Sequence, residues 1–154
     1  MRLYSSAFAH STEIPQQYTC EGANISPPLE WSGVPAGTQS LVLIVDDPDA
    51  PDPAAATMTW VHWILVNLPK QTTGLPEGIT NLPNGTVAGV NDWKRADYGG
   101  PCPPIGRHRY AHKLYALDTM LELERPTKDQ VEEAMQGHIL AQAALVGMYE
   151  KKKH

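Results

Sequence analysis

The sequence predicts one mainly β domain, an antiparallel sandwich with crossing connections and a C-terminal helical segment, and three observations predict it. The 154 residues include 12 glycines and 14 prolines, a turn-rich composition that favours many short elements over a helical bundle. The apolar residues gather in short, β-branched and aromatic runs of strand length. Long proline-bearing loops, not tight hairpins, separate those runs, as in sandwiches whose strands cross between layers. With 42% apolar and 19% charged residues, the chain can build its own core and fits a single domain spanning residues 1–154.

The elements follow in order. A short strand is expected from Leu3 to Phe8. Leu41-Val42-Leu43-Ile44-Val45 is an unbroken apolar run and reads as a buried strand ending at Asp46-Asp47-Pro48. Trp60 to Asn67 is a second such run, closed by Leu68-Pro69, and Thr86 to Val90 follows the Asn84-Gly85 turn signal. Arg109 to Leu117 is the third long strand. Thr127-Lys128-Asp129-Gln130 has the form of a capping box just after Pro126. Val131, Ala134, Met135, His138, Ile139, Gln142 and Leu145 then recur at helical spacing, so a helix is expected through this stretch, broken or kinked at Gly137.

Composition excludes several classes of function. A net charge of -5 and a pI near 5.6 give no basic footprint for a nucleic-acid backbone. The one basic cluster, Lys151-Lys152-Lys153, reads as a solvated, frayed end. No stretch approaches the length of an apolar membrane span, and Met1 to Ser6 lacks an apolar signal core. A cytoplasmic protein with Cys20 and Cys102 reduced is therefore expected, a disulfide being the lesser alternative. No cofactor is expected.

Three segments carry chemistry. Asp46-Asp47-Pro48-Asp49-Ala50-Pro51-Asp52-Pro53 runs a buried strand into four carboxylates stiffened by three prolines, with a cis X-Pro bond among the options. The same segment also reads as an acidic turn whose carboxylates accept local N–H groups. His62 lies inside an apolar strand, where alternation sets it on the face of Ile64 and Val66. Taken alone it reads as a satisfied core histidine. Tyr98 to Tyr110 opens with six glycines and prolines in the eight residues Gly99 to Gly106. Such a loop brings bare backbone, including Gly100 and the Cys102 N–H, close to whatever lies over it. His108 and Tyr110 then share one strand face. Two imidazoles, a phenol and a backbone N–H, with Asp47 to hold a proton, are groups suited to anion recognition.

Taken together these segments resemble a known family. Asp47-Pro48-Asp49-Ala50-Pro51, His62 within Trp-Val-His-Trp, and Gly106-Arg107-His108-Arg109-Tyr110 resemble the two signature regions of the phosphatidylethanolamine-binding proteins. The prokaryotic Raf-kinase-inhibitor-like branch is the nearest likeness, through Tyr18-Thr19-Cys20-Glu21-Gly22, Gly89-Val90-Asn91-Asp92, Tyr98 to Pro104 and Gly137-His138-Ile139. The likeness runs from about residue 3 to 149. It implies a β-sandwich with Greek-key connections. It also implies a small pocket for phosphate-like anions or phospholipid head groups, lined by Asp47, His62, His108 and Tyr110, with Asp49 bracing the rim and Gly100 to Pro103 supplying backbone. It further implies a non-enzymatic binding role, kinase modulation in the animal members, and a homodimer in this branch. The flanking C-terminal helix of the animal members has no equivalent after Glu150. The pocket is thus expected to be more open, or closed by a second subunit.

Two rival functions remain open on the residues alone. Asp47 with two histidines could serve a metal-assisted or acid–base hydrolase, although no HExxH or GxSxG spacing is present. A protein-interaction module reading phosphorylated segments is the other. In the expected mechanism, protonated or doubly hydrogen-bonded His62 and His108 grip an anion while Asp47 orients one of them, so binding weakens as pH rises through the histidine range.

Overall fold

The computed structural model describes residues 1–152. Nine strands, β1 (Arg2–Tyr4), β2 (Thr12–Glu13), β3 (Leu29–Ser32), β4 (Ser40–Ala50), β5 (Met58–Pro69), β6 (Gly74–Leu75), β7 (Val87–Ala88), β8 (Arg107–Leu117) and β9 (Ile139–Glu150), accompany one helix, α1 (Lys128–Met135). The large sheet has the order β2-β9-β8-β4-β5-β7 and the small one β1-β3-β6. Strand β8 lies beside β4, not beside β7, so the chain crosses over the β4–β5 pair. All pairings are antiparallel except the short parallel match of β2 with β9.

Strand β4 explains the layering. Leu41, Leu43 and Val45 face the small sheet and join Leu3, Leu29, Trp31 and Leu75 in the main core. Val42 and Ile44 point the other way and pack with Ile64, Val66, Val131 and Met135 beneath α1. A strand covered on both faces has no polar side, which is why its sequence is a continuous apolar run and not an alternation. Among the described residues no helix is long and apolar enough to cross a membrane.

Several expectations change. The capping box is present, with Thr127 accepting from the Gln130 N–H at 3.3 Å and the Gln130 side chain accepting from the Thr127 N–H at 3.0 Å. The helix, however, stops at Met135, and Gly137, at φ 80°, ends it instead of kinking it. Residues 139–150 form β9, paired with β8 along its whole length. The alanine-rich run has good helix propensity, but a full ladder to β8 outweighs a weak local preference. The first strand is shorter than expected, and β4 continues past Val45 through the acidic segment to Ala50.

Cys20 and Cys102 are joined in a disulfide, which overturns the expectation of reduced thiols. Their Cα atoms are 5.4 Å apart because two loops distant in sequence are laid together. The same loops are knitted by Cys20 N–H to the Pro101 carbonyl (3.1 Å) and the Tyr98 hydroxyl to the Tyr18 carbonyl (2.8 Å). The lysine tail is not free up to Lys152: that residue's Nζ pairs with Glu13 and its N–H donates to Glu21 at 2.7 Å. Lys153 lies outside the described residues.

Candidate functional site

A cavity of about 310 Å³ opens at the end of the large sheet where β4, β5 and β8 meet the loops 91–106. Asp47, His62, Cys102, His108 and Tyr110 line it, as the sequence suggested. Pro103, in the loop expected to supply backbone, lines it too, as do Ala50, Pro51 and Pro104 from the quoted motifs; Trp60, Trp93 and Met58 complete it and were not expected as lining residues. A signal for Trp60 was present, because it stands two residues before His62 on the same strand.

His62 reaches the cavity by a change of register. Val45 lies opposite Trp63 but Asp46 lies opposite Val61, so His62 is the extra residue of a β-bulge. Plain alternation put it with Ile64 and Val66, yet those two pack under α1. The bulge turns the imidazole to the other face, edge-on to Tyr110 at 5.2 Å and to Trp93 at 5.0 Å between ring centroids. Its Nδ1 lies 2.6 Å from the Gly99 carbonyl, which can only accept, so Nδ1 carries the proton. Burial pushes the ring pKa down to about 4. The ring is therefore neutral near pH 7 and Nε2 holds a lone pair, which replaces the expectation of a protonated His62.

Asp47 and His108 form a closed pair. The His108 Nδ1 is 2.5 Å from Asp47 Oδ2 and its Nε2 is 2.7 Å from the Ile105 carbonyl. Both ring nitrogens face acceptors, and both bonds form only when both nitrogens carry protons. Asp47 Oδ1 accepts the Asp49 N–H at 2.7 Å, the local turn bond that the acidic segment also predicted. Burial raises the Asp47 pKa and the bond from His108 opposes that rise. His108 is thus not free to grip a ligand with either nitrogen. It positions Asp47 and the loop, and it stacks on Tyr110 with ring centroids 6.3 Å apart.

Two buried donors in the wall lack a hydrogen bond of ordinary geometry: the Trp60 Nε1, and the Tyr110 hydroxyl, whose one acceptor nearby is the already bonded Asp47 carboxylate. Burial, and next the charge of Asp47, keep the Tyr110 phenol protonated by raising its pKa.

Two other expected residues stand outside. Asp49 accepts from the Arg109 guanidinium at 3.0 and 2.7 Å and from the Arg109 N–H at 2.8 Å, tying β4 to β8 beside the cavity. The Arg109 bond holds the Asp49 carboxyl below its ordinary pKa. The Gly100 N–H donates to Asn24 Oδ1 at 2.8 Å and so is not offered to a ligand. A Cβ at Gly100 would come within 2.2 Å of the Tyr18 carbonyl oxygen, so glycine is required by close loop packing. The Ala50–Pro51 bond is cis, among the options the prolines left open. His112 is core, tilted against Phe8. Among the described residues no three His, Cys, Asp or Glu side chains come together in a set able to hold a metal ion.

Comparison with known proteins fits this architecture. A family model, "Phosphatidylethanolamine-binding protein", matches residues 4–150. A UPF0098 protein of Methanothermobacter thermautotrophicus is 50% identical, over 98% of this chain and 99% of its own. A solved phosphatidylethanolamine-binding protein homologue from Chlamydia trachomatis superposes with a TM-score of 0.90 at 45% identity, covering 98% of this chain and 97% of that one. E. coli YbcL, described as a new member of the mammalian family, gives a TM-score of 0.88 at 35% identity, covering 98% of each chain.

Proposed function

The chain belongs to the phosphatidylethanolamine-binding protein family, and we propose that within it this protein binds a phosphoryl-type oxyanion, free or as a phospholipid head group, in the cavity between Trp60, His62 and Tyr110. One observation carries this reading. Tyr110 and Trp60 each bury a donor that makes no hydrogen bond of ordinary geometry, and a buried unsatisfied polar group costs about 1–3 kcal/mol. An incoming oxyanion oxygen relieves both at once.

The mouth supports the head-group form of the ligand. Met58 is 47% exposed, Trp93 36% and Ile105, next to Pro104, 55%. These are among the few large apolar side chains that the described surface leaves in water, and two of them line the cavity. A polar interior with an apolar lip suits an anion carried on an apolar group. The role is binding, not turnover: both His108 ring nitrogens are engaged, by Asp47 and by the Ile105 carbonyl, so no free imidazole stands beside Asp47 as an acid–base partner for a substrate.

Calorimetric titration with inorganic phosphate, methyl phosphate and a short-chain phospholipid tests the reading. Saturable binding that Trp60→Phe and Tyr110→Phe each weaken tenfold or more supports it. Equal binding by both variants, or no heat from any of the three ligands, overturns it.

A further inference from the structure

The lining contains no lysine or arginine. Arg109, on β8 between the lining residues His108 and Tyr110, is turned to Asp49 and its side chain is 57% exposed. The one basic side chain in the wall besides His62 is His108, and both its ring nitrogens are taken up, by Asp47 and the Ile105 carbonyl, so it has no N–H to give a ligand. The interior thus offers two neutral donors, Trp60 Nε1–H and Tyr110 O–H, and acceptors only, namely His62 Nε2 and the remaining lone pairs of Asp47, for anything else the ligand brings. A fully ionised phosphoryl group would bring two negative charges to a site with none of the opposite sign to spare, and would set an oxygen lone pair against the His62 lone pair. Desolvating uncompensated charge in this way is costly.

We propose that the cavity selects the singly protonated form of its oxyanion, with His62 Nε2 accepting the ligand's remaining P–O–H proton while Trp60 and Tyr110 donate to the other oxygens. His62 is thereby a specificity-determining residue: it asks the ligand for a proton, which a phosphate monoanion has and a sulfate lacks. This rests on the phosphoryl reading above and narrows it: a phosphodiester carries no P–O–H proton, so among head groups the cavity admits only a terminal phosphomonoester, alongside free phosphate.

The groups around His62 fit the assignment. Asp47, His108 and Tyr110 share the cavity wall with it and Trp93 packs on its ring, while Asp46 and His112 act on it electrostatically and Asp92 caps the neighbouring Val61 N–H. Asp46 is held by Lys113 and Lys128 at 2.8 Å each, Asp92 accepts the Val61 N–H at 2.7 Å, and Asp47 is paired to His108. His112 is itself neutral, its pKa pushed down by burial to about 4. No hydrogen bond from any of these groups occupies His62 Nε2, which leaves it to accept the ligand's proton.

The test compares three probes of one size on the intact protein between pH 6 and pH 8.5: methyl phosphate, methylphosphonate and methyl sulfate. A phosphate monoester loses its second proton near pH ~6, the phosphonate loses it at higher pH, and the sulfate ester has none to lose. Methyl phosphate affinity is expected to fall about tenfold per pH unit above its second ionisation, and the methylphosphonate break to lie at correspondingly higher pH. Methyl sulfate is expected to bind at least tenfold more weakly than methyl phosphate at pH 6. In His62→Gln, whose amide can donate, methyl sulfate should gain on methyl phosphate. If the break falls at the same pH for both phosphorus ligands, a protein group is titrating and the proposal is overturned. Equal affinity for sulfate and phosphate esters overturns it too, without harming the oxyanion reading. Silence from every probe ends both. The first two comparisons need no variant, so a His62→Gln that fails to fold leaves the test intact.

Discussion

Asp46 and Asp47 are adjacent, alike and almost equally buried, at 2% and 3% exposure, yet they belong to different halves of the molecule. Asp46 points to the α1 face, where Lys113 and Lys128 each approach it to 2.8 Å. Asp47 points to the cavity and is met by an imidazole and a backbone N–H. The strand period separates them. What separates their roles is the partner: two lysines neutralise Asp46 for good, whereas Asp47 is matched by one titratable ring in a wall that faces open space. Buried charge serves as structure on one side of β4 and sets up a site on the other.

That contrast breaks or holds on measurement. The largest effect should come from stripping Asp46 of both cations. Lys113→Met with Lys128→Met leaves a buried carboxylate unpaired and should cost on the order of 3–5 kcal/mol in chemical denaturation, while the surviving folded protein binds methyl phosphate as before. Changed affinity would show that the two faces are not independent.

Acid stability comes next. His62 and His112 both have pKa values pushed from 6.5 to about 4 by burial. Between those values the unfolded chain binds protons that the folded one refuses, so stability is complete above pH ~6.5 and is lost as pH falls toward 4. Each ring contributes on the order of 3 kcal/mol across that window. His112→Phe, in the closed core, should remove about half of the slope in urea melts at stepped pH; an unchanged slope would mean that His112 is not neutral.

A smaller effect separates function from fold. Tyr110→Phe deletes a hydroxyl that makes no hydrogen bond of ordinary geometry, so the melting temperature should hold or rise slightly while ligand affinity drops about tenfold, or ~1.4 kcal/mol. A destabilised variant with normal affinity would reverse the assignment. Arg109→Ala leaves Asp49, itself 6% exposed, with only its bond from the residue 109 N–H, so the loss should be about 1–3 kcal/mol in thermal melts, with affinity for methyl phosphate retained.

Legibility from sequence followed the range of the interactions. The unbroken run Leu41 to Val45 disclosed a strand buried on both faces because burial is written in side-chain type. The Thr127 cap was readable because its bonds span three residues. Strand β9 was not, since Ile139 to Glu150 satisfies helical and extended spacing alike and only its ladder to β8 decides between them. The two-residue strands β2, β6 and β7 exist by virtue of their neighbours alone.

The site divides in the same way. The sequence by itself determined which groups are candidates: Asp47, His62, His108 and Tyr110 stand in strand ends and loops that resemble the family's signature regions, and all four line the cavity. Only the tertiary structure decided what each of them does there. A bulge turned His62 inward, a carbonyl from a distant loop fixed its proton, and two acceptors used up His108. Residue type fixes what a side chain can offer, but which of its atoms stay unspent depends on partners up to 61 positions away, brought there only by folding.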